Sequence, residues 1–294
     1  MSPAVQHHAQ RLSAKLESAR MLMTATPRAF VPRALADDFD MLRGSQTVGP
    51  ATFTRWSGFY GGGQFNIGDA NVDFSRATQP LIAFSLRELA LENVLHPSEW
   101  PVLGGASNHA TGFGGFVGYN TQWQDLIVGL EGNYTHTSFL ATATNSPISR
   151  IVSAGGSNYS VNMTGTGMLN LTDYGTLRAR AGYVLGNFLP YGFIGFAVGS
   201  ANYAVTTEVF GQQNSASPFT LPCVVSATCV DYDFFNSAGR NGALLYGGSV
   251  GLGLDWAITP NLFLRGEVEY LTFVPLANID VSIINARVGA GVKF

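Results

Sequence analysis

Charge is scarce in this 294-residue chain, where Asp, Glu, Lys and Arg together make up 12% of the residues. That is about half the share usual in soluble globular domains. A water-facing surface needs more charge than this to stay soluble, so an ordinary soluble globule is disfavoured. Long apolar runs are also missing. Hydrophobic residues make up 46% of the chain, yet no stretch approaches the ~18 uninterrupted apolar residues of a membrane-crossing helix. The formal net charge of -3 comes without a basic patch interleaved with aromatics, so no nucleic-acid partner is expected. Cysteine is limited to Cys223 and Cys229, and no His or further Cys lies near enough in sequence to complete a four-ligand metal site. No metal or other cofactor is expected. The two cysteines share one Gly/Ser/Pro/Asn-rich stretch. They are either a short-range disulfide of an oxidising compartment or two unpaired loop thiols.

What the chain does have is glycine, 35 residues of it, aromatics at 12%, and strict alternation. Eight strand-like runs lie at roughly 56–68, 112–124, 126–138, 174–186, 188–204, 243–257, 261–273 and 282–294. In the last run Ile284, Ala286, Val288, Ala290, Val292 and Phe294 share one face, opposite Asn285, Arg287, Gly289, Gly291 and Lys293. Leu126, Val128, Leu130 and Tyr134 oppose Glu131 and Asn133. Leu177, Ala179, Ala181 and Tyr183 oppose Arg178 and Arg180. Leu262, Leu264, Val268 and Tyr270 oppose Arg265, Glu267 and Glu269. Side chains of a strand alternate between faces, so each run has one apolar and one polar side. The first, second and sixth runs follow suit, with Phe59, Phe65 and Ile67; Phe113, Val117 and Trp123; and Tyr246, Val250, Leu252, Leu254 and Trp256. The fifth, with Tyr191, Phe193, Ile194 and Phe196, is apolar on both sides and fits neither assignment.

The connections alternate in length. Gln124-Asp125, Gly186-Asn187 and Ile258-Thr259-Pro260 are turn signals, whereas 69–111, 139–173, 205–242 and, more briefly, 274–281 are long. Short turns on one end and long loops on the other are the signature of a membrane barrel. The expected fold is all-β, an eight-stranded antiparallel up-and-down transmembrane β-barrel over 56–294, apolar outward and charged inward. Glu131, Arg178, Arg180, Arg265, Glu267, Glu269, Arg287 and Lys293 would then share a lumen just wide enough to be filled by side chains. Charges so confined must pair, so a plugged barrel is expected; a narrow ion-selective path along the same charges is the alternative. Trp123, Trp256 and several Tyr near strand ends suit interfacial girdles.

Residues 1–36 resemble an interrupted export signal, with Arg20 before Met21-Leu22-Met23 and an Ala34-Leu35-Ala36 cleavage pattern. A non-cleaved extension is the alternative. Residues 37–55 read as a periplasmic linker. In the first long connection, Ile82, Leu86, Leu89 and Ala90 fall at helical spacing between Pro80 and Pro97, which predicts one short helix within Gln79–Glu99. It would be a lid over the extracellular mouth, or a partner-binding element. Gly247-Gly248, Gly251 and Gly253 precede no helix and are not a phosphate loop. The loop 140–172, rich in Ser, Thr, Asn and Gly, is a candidate surface for an extracellular ligand.

His136 and Ser138 share the lipid-facing side of the third run, near its outer end. Lipopolysaccharide-remodelling barrels use such a pair. A serine hydrolase also needs an acid to orient its histidine. The next acid along the chain, Asp173, belongs to another run, so two rim polar residues in the headgroup zone are the preferred account. No catalytic site is expected, and lipid A modification is only a remote alternative.

Several segments resemble the small outer-membrane β-barrel proteins common in alphaproteobacteria. Trp56-Ser-Gly-Phe-Tyr60 leading into Gly61-Gly-Gly-Gln64 is similar to their first strand, Phe113-Gly-Gly-Phe-Val-Gly-Tyr-Asn120 to their second and Ile127-Val-Gly-Leu-Glu-Gly132 to their third. Leu177-Arg-Ala-Arg-Ala-Gly-Tyr183 followed by Leu189-Pro-Tyr191 resembles their central hairpin. Thr259-Pro-Asn261 through Glu269-Tyr270, with Arg287-Val-Gly289 and Phe294, resembles their last. The resemblance covers about 55–294. It implies an OmpA-like barrel in the cell outer membrane, inserted by the barrel assembly machinery among lipid and lipopolysaccharide, with a structural, porin-like or surface-antigen role. The long first loop and the poor export signal depart from the family's simplest members.

Overall fold

The computed structural model describes residues 55–144, 147–216 and 220–294. The export-signal reading, 1–36, lies outside them, as does all of the 37–55 linker except Arg55. Nine strands follow: β1 (Gly58–Asp73), β2 (Gly105–Trp123), β3 (Leu126–Thr144), β4 (Ile148–Ala154), β5 (Ser157–Tyr183), β6 (Phe188–Asn214), β7 (Cys229–Ala257), β8 (Leu262–Leu276) and β9 (Ile279–Lys293). Sequence neighbours pair antiparallel except β3 and β4, β9 pairs with β1, and β3 pairs with β5. The ring therefore closes through eight strands. β4 lies outside it, continuing the line of β3 along the far end of β5.

The eight predicted runs are all present, but their outer limits extend well past prediction. β5, β6 and β7 are 27, 27 and 29 residues long, so most of 139–173 and 205–242 is strand, not loop. The fourth outer connection is no loop at all. β8 and β9 meet across Ala277-Asn278, both at positive φ, a two-residue hairpin whose backbone twist matches its strands. The wall is uneven as a result. β2 leaves β3 beyond Gly112–Thr137, and β8 leaves β7 beyond Gly247–Phe273. Beyond those points β1, β2, β8 and β9 continue as one paired sheet, to Asp73–Gly105 and Leu276–Ile279, and β3 to β7 as a second, taller one.

Along each strand the two faces exchange character at one height. Below it the outward residues are apolar and free of charge in all eight ring strands: Phe59 to Ile67, Leu126 to Tyr134, Tyr246 to Trp256, Ile284 to Phe294 and their counterparts. Above it the outward residues are mainly polar, among them Asp69, Asn71, Thr142, Asn162, Thr164, Thr206, Glu208 and Asp280, while the inward ones are Val72, Phe139, Ala141, Leu169, Leu171, Val205, Leu271, Val281 and Ile283, all buried in one cluster. The lower part is apolar outside and the upper part apolar inside. The expected lumen, ionic throughout, is thus confined to one middle layer.

Two bulges keep β5 and β7 in step with this exchange. In β5 the register slips between Leu171 and Asp173, so Thr172 is the extra residue and the inward parity passes from Arg178 and Arg180 to Leu171 and Leu169. In β7 the slip lies opposite Ala201–Tyr203. There Gly242 takes φ +63 and its N–H donates to Asn202 Oδ1 at 2.8 Å, a backbone conformation that glycine adopts without strain.

The first long connection forms two helices rather than one: α1 (Gln79–Leu86) and α2 (Ala90–Leu95), followed by a 3-10 turn at Pro97–Glu99. Leu89 is extended and His96 left-handed, which breaks the helical spacing read across the whole segment. Ile82, Leu86 and Leu91 are buried against Tyr159, Val161, Met163, Val209 and Tyr232, the inner face of the tall sheet. Burial pushes the Tyr232 phenol up, and its hydroxyl donates to Ser160 O at 2.6 Å. Arg76 and Asp280, 2.6 Å apart, join this connection to the β9 rim.

Candidate functional site

The middle layer of the lumen holds Arg178 and Arg180 from β5, Arg265, Glu267 and Glu269 from β8, Arg287 from β9, Glu131 from β3 and Asp255 from β7, every one of them buried. Alternation aims them inward. The register then brings Glu131 opposite Arg178, Asp255 opposite Arg265 and Glu267 opposite Arg287. Glu131 is the hub. It accepts from Arg178, from Arg180 at 3.1 Å, from Arg265 at 2.8 Å, from Tyr60 at 2.7 Å and from Asn133 at 2.7 Å. Asp255 lies 2.7 Å from Arg180 and 2.8 Å from Arg265. Glu267 accepts from Arg178 at 3.1 Å and from Tyr191 at 2.6 Å, and Glu269 holds Arg287.

Four guanidiniums and four carboxylates thus form one lattice. Two memberships differ from the sequence reading. Lys293 is not among the ion pairs of the described residues. Its Nζ donates to Arg55 O at 3.2 Å and lies 4.0 Å from the Trp56 ring centroid, at the periplasmic end of β9 and below the lattice. Asp255 takes part although it was missed. It sits between outward Leu254 and Trp256, so the parity of its own run marked it as inward.

The fifth run's two apolar faces also resolve. Ile194 and Phe196 point out and are largely exposed, whereas Tyr191 and Phe193 point in. The Arg180 guanidinium lies 3.7 Å from the Tyr191 ring centroid, Arg178 lies 4.0 Å from Phe193 and Arg265 lies 4.0 Å from Phe116. Flat cations on ring faces need apolar area inside the lumen, which is why an inward face here reads as apolar. A Cβ on Gly251 or Gly253 would come within 2.3–2.4 Å of the Phe193 and Tyr191 rings. Those glycines make room for the rings. Below the lattice Trp56, Ile127, Leu189, Ala257 and Phe263 fill the cross-section; above it stands the upper apolar core.

On the outer wall, Asp173 keeps the outward parity of the lower part of β5, directly below the Thr172 bulge. Asp173 Oδ1 then lies 2.7 Å from His136 Nδ1 and accepts from Tyr134 Oη at 2.7 Å. Ser138 Oγ donates to Asn170 Oδ1 at 3.2 Å. The acid of the fourth run is therefore beside His136. Cys223 and Cys229 are bonded to each other, at the tip of the β6–β7 hairpin. No cluster of three or more metal-ligating side chains occurs among the described residues.

Residues 45–294 match the family described as outer membrane protein beta-barrel domain. The chain belongs to that family. Its apolar belt is accordingly the zone embedded in the cell outer membrane, about eleven residues per strand in β9, close to what a tilted transmembrane strand requires. Tyr134, Tyr246 and Tyr270 mark the outer edge of the belt, and Trp123, Tyr183 and Trp256 the periplasmic edge. No curated protein matches the chain. Among solved structures it is similar to Ail, the attachment invasion locus protein of Yersinia pestis, at 14% identity and TM-score 0.34, over 81% of this chain and 99% of that one. It is also similar to Neisserial surface protein A, at 15% and 0.30 over 81% and 98%. A third likeness is to the N-terminal barrel of Pseudomonas aeruginosa OprF, at 12% and 0.29 over 79% and 97%. Likenesses this distant carry no functional argument.

Proposed function

We propose that the protein is a structural, non-conducting outer-membrane barrel that carries a rigid sheet above the membrane as a surface antigen or ligand-presenting element. One observation carries this reading: the lattice of four guanidiniums and four carboxylates, centred on Glu131, is closed off by packed aromatics below and an apolar core above. An aqueous path requires charges that face water. Here the charges face one another, which leaves none to guide an ion or act on a substrate in the lumen. The motifs of the five quoted segments favour the alphaproteobacterial branch of the family. The belt meets outer-membrane lipid and lipopolysaccharide, the barrel assembly machinery inserts the chain, and the Ser/Thr/Asn-covered outer face of β5 and β6 is the surface offered to an extracellular ligand.

A narrow porin-like channel is the competing reading. Purified protein reconstituted in a planar bilayer separates the two. The expected trace is flat apart from brief, irregular openings; a steady, sizeable conductance establishes the channel and ends the structural reading.

A further inference from the structure

The outer wall carries a group of side chains that the closed lumen does not explain. Asp173 holds His136 at 2.7 Å through Nδ1, and Ser138 stands two residues further along the same face of β3. A carboxylate on one ring nitrogen fixes the tautomer and leaves the other nitrogen free to take a proton. Tyr134 reinforces the carboxylate from below. Asp173 keeps the outward parity of Leu177 and Ala179, and the β3–β5 register runs without a break from Leu126–Tyr183 to His136–Asp173, which sets the two side chains directly opposite each other.

The location is equally particular. Tyr134 belongs to the outer aromatic girdle, and His136 and Ser138 lie just above it. Phe113, with its ring centroid 5.5 Å from that of His136, Leu140 and Met168 are partly or largely exposed around the group. Apolar contact thus rises past the girdle here. The ester bonds of a membrane lipid sit at this boundary between headgroup and hydrocarbon.

We propose that Ser138, His136 and Asp173 form a serine-hydrolase site for an ester-linked acyl chain of an outer-leaflet lipid. Ser138 Oγ leaves Asn170 and turns along the strand toward His136 Nε2, a Cα spacing of ~6.6 Å that the imidazole helps to span. Such contacts are often long before substrate binds. Ser138 Oγ attacks the ester carbonyl carbon while His136 Nε2 takes its proton. The ester C–O bond breaks and the leaving alcohol receives that proton. Water then attacks the acyl-Ser138, its proton passing through His136 back to Oγ. The products are a free fatty acid and the lipid lacking that chain. Ser138 and His136 are the catalytic residues, and Asp173 is a positioning residue.

The test uses full-length protein folded in vesicles, one set containing lipopolysaccharide and a second only diacyl phosphatidylethanolamine, with lipids read by mass spectrometry. Loss of an acyl chain in one set identifies the lipid source. Ser138→Ala and His136→Ala are expected to abolish the loss, and Asp173→Asn to slow it by ~10⁴-fold, as when a triad's carboxylate is neutralised. A fluorophosphonate reagent, which labels activated serines, supplies a readout on the unaltered protein: its adduct is expected on Ser138. No acyl loss from either lipid, acyl loss that survives Ser138→Ala, or an adduct on any other residue overturns the proposal.

Discussion

Replacing Glu131 with Gln tests the lattice at its hub. The side chains are nearly the same size, so the change opens no cavity. It removes one of four negative charges and leaves Arg178, Arg180 and Arg265, which all touch Glu131, beside a neutral amide whose NH2 faces their own donors. Removing one partner of a buried pair costs ~3–5 kcal/mol, or a factor of about 10² to several thousand in the folding equilibrium. Urea unfolding of protein refolded into phospholipid vesicles, followed by tryptophan fluorescence and heat-modifiable gel mobility, measures the loss. Adding Arg265→Gln to Glu131→Gln restores neutrality and is expected to recover ~1–3 kcal/mol, a coupling typical of residues in one network. A cost below ~1 kcal/mol for Glu131→Gln alone, the worth of an exposed ion pair, refutes the reasoning.

Inserting one alanine between Asn170 and Leu171 shifts the register of β5 above the bulge by one and swings Leu169, Met163 and Val161 toward water. Each such side chain contributes ~1.5–3 kcal/mol when buried, so the heat-modifiable folded band is expected to vanish; wild-type mobility would show that the upper core does not depend on the parity of β5. Val288→Arg places a charge in the middle of the outward belt and is expected to destabilise the vesicle-folded protein by ~2–4 kcal/mol, whereas Ser282→Arg on the same face of β9 costs little. Equal losses for the two variants would misplace the belt.

The lower half of the barrel is legible in the sequence because one parity rule holds without interruption from turn to girdle. From Leu126 to Tyr134 or Ile284 to Phe294, an apolar outward face and a polar inward face are separated residue by residue. The upper half hides for three physical reasons. Its outward residues are small and polar, so 157–170 reads as loop by composition. Its inward residues are apolar, which reverses the rule used below. Thr172 and Gly242 each add one residue, so no single period runs through β5 or β7. The lattice is legible except at Asp255, whose parity was available, and at Lys293, which shares the inward parity of Arg287 but lies below the other charges. Distance along the strand axis, not face, decides membership. The His136–Asp173 contact is not legible: parity turns both side chains outward, but a long connection joins β3 to β5, and only the folded ring sets the register that places them opposite each other.

The account rests on the claim that inside and outside exchange character at a single height. Neither cysteine is free, since Cys223 and Cys229 are bonded, so a thiol-reactive fluorophore placed through Leu130→Cys or Thr142→Cys reports its site alone. Both residues point outward from β3. In vesicles whose acyl chains carry a nitroxide quencher, the label at 130 is predicted to be strongly quenched and the label at 142 nearly untouched. Equal quenching at the two positions, or quenching at 142 alone, contradicts the account.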